Sequence, residues 1–143
     1  GRFTFSDSVR EQVLSLFYGG CADDRATKAT IHDLFEKEHY LCDTHTAVAV
    51  SVYNDYVKAT GDRTPAVIVS TASPYKFASD VLDAVEAGAA EGLSGIEAME
   101  RLSEKTGTKI PAPLSGLADK KIRFEKVVEP ADMDKAVFDC LGV

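Results

Sequence analysis

The residues best placed for chemistry are three hydroxyls, Ser70, Thr71 and Ser73, which follow the short apolar run Ala66-Val67-Ile68-Val69. In open α/β sheets ligands gather beyond the carboxyl ends of strands, so neutral hydroxyls there can donate or accept hydrogen bonds to a bound molecule. The same residues also suit a strand end and the turn into a helix, with Ser73 before Pro74. Lys76 lies in the first turn of the helix that follows, where a cation opposes the helix dipole and a bound anion would offset it; a solvated lysine is the plainer reading. His45, flanked by Asp43, Thr44 and Thr46, sits at another helix start, where the dipole favours a neutral imidazole able to hydrogen-bond a ligand. A purely structural hydrogen-bonding role suits it as well.

Other chemistries lack their residues. His32, His39 and His45 are separated by seven and six positions, whereas helical metal-ligand pairs need spacings of three or four, so no metal site is expected. There is no glycine-rich phosphate loop, no GxSxG elbow and no Cys-His signature. Asp23 and Asp24 are neighbours in a turn, where paired carboxylates point apart. No complete catalytic set can be assembled.

The elements that would position these groups follow from periodicity. Ser8 with Glu11 resembles a capping box for a first helix carrying Val9, Val13, Leu16 and Phe17, stopped by Gly19-Gly20. A second helix is expected over Thr27 to His39, with Ile31, Leu34 and Phe35 inward. A third, His45 to Ala59, capped by Asp43 or Thr44, is apolar nearly all round and should be buried on more than one side. Ala66 to Ser70 reads as a central parallel strand. A helix with Phe77, Ala78, Val81, Leu82, Val85 and Ala89 on one face follows it. Ser94 and Glu97 cap a further helix, with Ile96, Met99 and Leu102 inward, that ends at Gly107. Residues 108–121 are loop, Ile122 to Val128 is a candidate second strand, and Pro130 opens a last helix closed by Gly142. The pattern is that of a helix-rich α/β fold with a partial parallel sheet and surrounding helices. A self-contained domain of that class has a sheet of about five or six strands, so two strands point to part of something larger.

Composition agrees with a folded chain. Its 143 residues suit one domain, and 45% apolar with 27% charged residues is globular rather than disordered. The net charge of −7 offers no footprint for nucleic acid or anionic lipid. No apolar run exceeds four residues, which predicts neither a membrane span nor a signal sequence. Cys21, Cys42 and Cys140 are odd in number and without CxxC spacing, which suits a reducing cytoplasm.

Three blocks carry a resemblance: Tyr40-Leu41-Cys42-Asp43-Thr44-His45-Thr46-Ala47-Val48-Ala49; Thr64 through Ser70-Thr71-Ala72-Ser73-Pro74-Tyr75-Lys76-Phe77; and Ile110-Pro111-Ala112-Pro113-Leu114-Ser115-Gly116-Leu117. Together they resemble the C-terminal portion of threonine synthases. The resemblance implies a pyridoxal-phosphate enzyme of the tryptophan-synthase-β-like fold, a lyase converting O-phospho-L-homoserine and water to L-threonine and phosphate. It implies that residues 1–143 are the C-terminal part of the large cofactor domain, with no complete second domain. The cofactor's lysine and phosphate loop would then lie in the remainder of the polypeptide, and the isolated chain would be inactive. The hydroxyl that meets the cofactor's ring nitrogen falls on Ser70 or Thr71, while Lys76 and His45 match segments facing the substrate, and no catalytic residue is assigned. Ser73 stands where some members carry histidine. A homo-oligomer is a further possible state. The other reading is a non-catalytic α/β module that binds a partner protein.

Overall fold

The computed structural model describes residues 3–123 and 125–142. Its principal helices run in the order α1 (Asp7–Leu16), α2 (Asp24–Glu38), α3 (Thr44–Thr60), α4 (Ala78–Val85), α5 (Gly95–Thr106), α6 (Ala112–Ser115) and α7 (Met133–Leu141). Short 3₁₀ turns at Pro74–Phe77 and Pro130–Asp132 lead into α4 and α7.

Helix ends follow local chemistry. Asp23 caps α2 by accepting from the Ala26 amide at 2.7 Å, and Asp43 caps α3 through the His45 and Thr46 amides. Ser94 and Glu97 form the expected capping box on α5, and Gly107 ends that helix in the left-handed conformation at φ 68°. His39 ends α2 in the same region, at φ 52°, where glycine would be the easier residue. Helix α1 starts two residues ahead of the expected Ser8 box, because Ser6 supplies the cap and accepts from the Val9 amide at 3.4 Å.

Helices α2, α3, α4 and α5 pack in a chain of neighbours: α2 on α3, α2 on α4, α4 on α5. Their shared core holds Ile31, Ala47, Val81, Leu82, Val85, Ala98, Met99 and Leu102. Helix α4 lies at its centre, with Ala78, Val81, Leu82, Ala84 and Val85 all buried. Each fully buried Leu, Ile or Val contributes about 1.5–3 kcal/mol, so these four helices hold the fold. Two polar contacts tie α2 to α4: Lys28 Nζ to Asp83 Oδ2 at 2.6 Å, and His32 Nδ1 to the Ala84 carbonyl at 3.2 Å.

The parallel sheet is not there. Among the described residues no strand forms, and the α/β expectation gives way to an all-helical architecture. Residues 66–70 run without regular structure and make no backbone hydrogen bond among the described residues, with Val67 88% and Val69 69% exposed. β-branched composition favours extended backbone, but a strand exists only where a neighbour takes its amides and carbonyls. The candidate second strand, 122–128, provides no such neighbour; its described residues are irregular, and Phe124 lies outside them. Helix α3 also departs from expectation. Only Thr46 and Ala47 are buried on it, while Val52, Tyr53, Tyr56 and Val57 are half-covered. The loop expected at 108–121 contains the one-turn helix α6.

Among the described residues, no helix is long and apolar enough to cross a membrane.

Candidate functional site

Two of the sequence blocks meet at the N-terminus of α3. The carboxylate of Asp43, with none of its side chain exposed, is the centre of the arrangement. Its Oδ1 accepts from the His45 amide at 2.9 Å and the Thr46 amide at 3.4 Å, and lies 3.2 Å from His45 Nδ1. Its Oδ2 accepts from the Thr46 hydroxyl. Thr46 Oγ1 also lies 3.1 Å from Ser70 Oγ, which joins the end of the 66–70 run to the helix start.

Burial alone would push the Asp43 carboxyl up. The hydrogen bonds from Thr46 and His45 outweigh that and hold it below the usual carboxylate range, so it is ionised at neutral pH. The neighbouring Cys42 thiol goes the other way: burial, then the Asp43 charge, pushes it up to about 11. A thiol so protonated is inert as a nucleophile.

The His45 ring is 63% exposed. It packs on Phe77 with ring centroids 5.0 Å apart and planes tilted by 52°. Phe77 belongs to the 3₁₀ turn that follows Ser73, and that turn is fixed by Tyr75, a buried side chain whose hydroxyl reaches Thr108. His45 lines a cavity of about 330 Å³ at the starts of α2 and α3, together with Asp24, Thr27, Lys28, Thr44 and Asp80.

The residues singled out in the sequence therefore divide. His45 and Ser70 come together through Asp43 and Thr46. Thr71 follows Ser70, exposed, and its hydroxyl makes no hydrogen bond among the described residues. Lys76 is exposed and faces a separate groove of about 610 Å³ with Ile96, Met99, Leu114 and Leu117. Ser73 serves its structural role, capping the 3₁₀ turn through the Tyr75 amide at 3.3 Å. His32 and His39 are also accounted for structurally, one bonded to Ala84 and the other ending α2. Sequence reasoning passed over Asp43 and Thr46 as site residues; the Asp-x-His-Thr spacing, which puts an N-cap carboxylate beside an imidazole, was the available signal. Among the described residues no three His, Cys, Asp or Glu side chains cluster to hold a metal ion.

By fold and site the described residues form a helical domain with a neutral-hydroxyl and imidazole site built on one buried carboxylate. The sequence family described as threonine synthase, C-terminal, matches residues 46–137, well over half of the chain, and the chain belongs to that family. Two of the three blocks that carried the resemblance, ending at Phe77 and Leu117, lie inside the matched region. No curated protein matches the chain. Threonine synthases as a family depend on pyridoxal phosphate.

Proposed function

We propose that the chain is the C-terminal part of a threonine synthase that uses pyridoxal phosphate to convert O-phospho-L-homoserine and water to L-threonine and phosphate in the cytoplasm. The observation that carries this reading is the meeting of the two family blocks, Ser70 beside Thr46 and Phe77 beside His45. The residues at the site fit one side of the cofactor. A free neutral hydroxyl at Thr71, with Ser70 next to it, suits a pyridine nitrogen that is not forced to carry a proton, as a carboxylate there would require. When bound, the cofactor supplies an electron-withdrawing ring. The chain's part is to hold that ring's nitrogen edge with Thr71 and Ser70 and to face the substrate with His45, while Lys76, which the sequence also offered for the substrate, lies on the separate groove. The covalent lysine and the phosphate loop belong to the remainder of the polypeptide, so the isolated chain is inactive.

Mixed with pyridoxal phosphate, the isolated chain should develop no absorbance band of a covalently held cofactor; a specific band with turnover of phosphohomoserine would overturn the inactivity. In the full-length enzyme, Ser70→Ala combined with Thr71→Val should lower kcat and leave the fold intact. Unchanged kinetics would remove both hydroxyls from the site.

A second reading, a non-catalytic interaction module, is favoured by the exposed apolar side chains of α1 and α7, among them Leu14, Leu16, Val137 and Leu141. The reading frame upstream of Gly1 separates the two. A threonine synthase of two to three domains requires on the order of 300 further residues bearing a lysine cofactor motif.

A further inference from the structure

Resting on the reading of the chain as the C-terminal part of a longer enzyme, we infer that the apolar surface of α1, residues 66–69 and α7 is the docking face for the remainder of the same polypeptide, and not for a second copy of the chain. The measure is area. The chain exposes 11,093 Å² to solvent, whereas a self-contained monomer of 15.4 kDa exposes about 7,200 Å². The surplus, about 3,900 Å², is surface that a finished domain of this mass would have buried. Helices α2 to α5 already pack on one another. The surplus therefore draws on the elements outside them, where α1 and α7 bury no residue and Val67 and Val69 stand exposed.

Helix α7 is organised for such a contact. Val128, Met133, Ala136, Val137, Cys140 and Leu141 line a groove of about 380 Å³ with no charged side chain among them. At about 100° per residue the five helical positions share one face, and the Lys135–Asp139 ion pair, 2.9 Å long, lies on the opposite one. A helix divided in this way has one face to be covered and one for solvent. Area also selects the occupant. Burying the whole surplus against a second copy would make an interface of about 7,800 Å² over the two chains, beyond the roughly 2,000–5,000 Å² typical of obligate dimers. Further residues of the same polypeptide meet no such ceiling, because the buried fraction of a chain rises with its length. The 66–69 run leads directly into Ser70 and Thr71. A segment that covers Val67 and Val69 is thereby brought to the hydroxyls of the candidate site.

Amide hydrogen exchange on the 143-residue chain and on the full-length protein, with sedimentation of the chain alongside, provides the test. The isolated chain should sediment as a monomer, with α4 and α5 protected and α1, residues 66–69 and α7 unprotected. In the full-length protein those three stretches should gain protection. Leu16→Glu and Leu141→Glu should each leave the urea midpoint of the isolated chain unchanged and lower that of the full-length protein. A dimer of the isolated chain that protects α1 and α7 overturns the proposal in favour of a second copy. A full-length protein in which α1 and α7 stay unprotected assigns the face to a separate partner and overturns it as well, as does a gene that encodes nothing beyond these residues. Gained protection without threonine synthase activity would retain the docking face and remove the functional reading; activity with α1 and α7 still unprotected would do the reverse.

Discussion

The middle of the molecule and its flanks obey the same local rules and reach different outcomes. Helix α5 has a capping box, a left-handed glycine stop and an apolar face, and it buries Ala98, Met99 and Leu102. Helix α1 has a serine cap and an apolar face too, yet it buries nothing, and Leu16 is 82% exposed. Helix α7 also ends on a left-handed glycine and buries nothing. Capping and periodicity decide whether a segment can be a helix, whereas burial depends on a partner surface. In α2–α5 each helix finds one; α1, α7 and the 66–70 run do not, among the described residues. The Asp43 site lies where the two regimes meet, since Asp43 and Thr46 are buried while Ser70 ends an exposed segment.

The largest contrast is expected from one substitution made in both regimes. Leu82→Ala removes a side chain with no exposure from the centre of α4 and should cost about 2–5 kcal/mol in denaturant unfolding. Leu16→Ala on α1 should change stability by less than about 0.5 kcal/mol. Equal losses at both positions would show that α1 is packed after all. Next in size is Asp43→Ala, which strips the α3 cap and leaves the buried Thr46 hydroxyl without its acceptor; a cost of about 1–3 kcal/mol is expected.

The Asp43 contribution has a predictable pH dependence. The folded carboxyl titrates below its unfolded value of about 3.9. The folded state thus binds that proton less readily than the unfolded state, so the stabilisation is whole above about pH 4 and is lost as the pH falls through the lower folded value. Asp43→Asn, which cannot titrate, should flatten that part of the acid limb in urea unfolding measured from pH 6 to pH 2. An unchanged acid limb would separate Asp43 from acid stability.

How far this was legible in the residues depended on how local the cause was. The α5 box at Ser94 and Glu97, the stop at Gly107 and the inward Ala78, Val81, Leu82 and Val85 of α4 depend on side chains within a turn or two of each other and appear as expected, whereas Phe77 and Ala89, expected on the same helical face, lie outside α4. The Ala66 to Ser70 strand failed because β-branched residues state a preference, while pairing requires a second segment that local pattern cannot supply. The all-round apolar character of α3 likewise promised more burial than its neighbours provide. At the site, His45 and Ser70 were visible as residue types, but they are joined through Thr46, and a contact spanning 24 positions carries no local signature. Asp43 was visible as a helix cap; its link through Thr46 to Ser70 follows only from what its other oxygen touches.

The smaller predictions test the same division at helix ends and on the surface. Ser94→Ala should cost about 1 kcal/mol, because α5 must be helical for Leu102 to reach the core. Ser6→Ala removes the equivalent cap from α1, but fraying of a helix that buries nothing leaves global unfolding unchanged. Amide exchange separates the two mechanisms: exchange in the first turn of α1 should quicken in Ser6→Ala while α4 and α5 keep their protection. Smallest of all is Lys28→Ala. Its ammonium bridges Asp83 at 2.6 Å and Asp80 at 3.6 Å, and the hydrogen bond it donates to Asp83, only partly offset by desolvation, raises its proton affinity. With 36% of the side chain in water, that attraction is screened, and the loss should stay below about 1 kcal/mol and shrink as salt is added. A salt-independent loss larger than that would make the α2–α4 seam depend on charge rather than on Ile31 and Leu82.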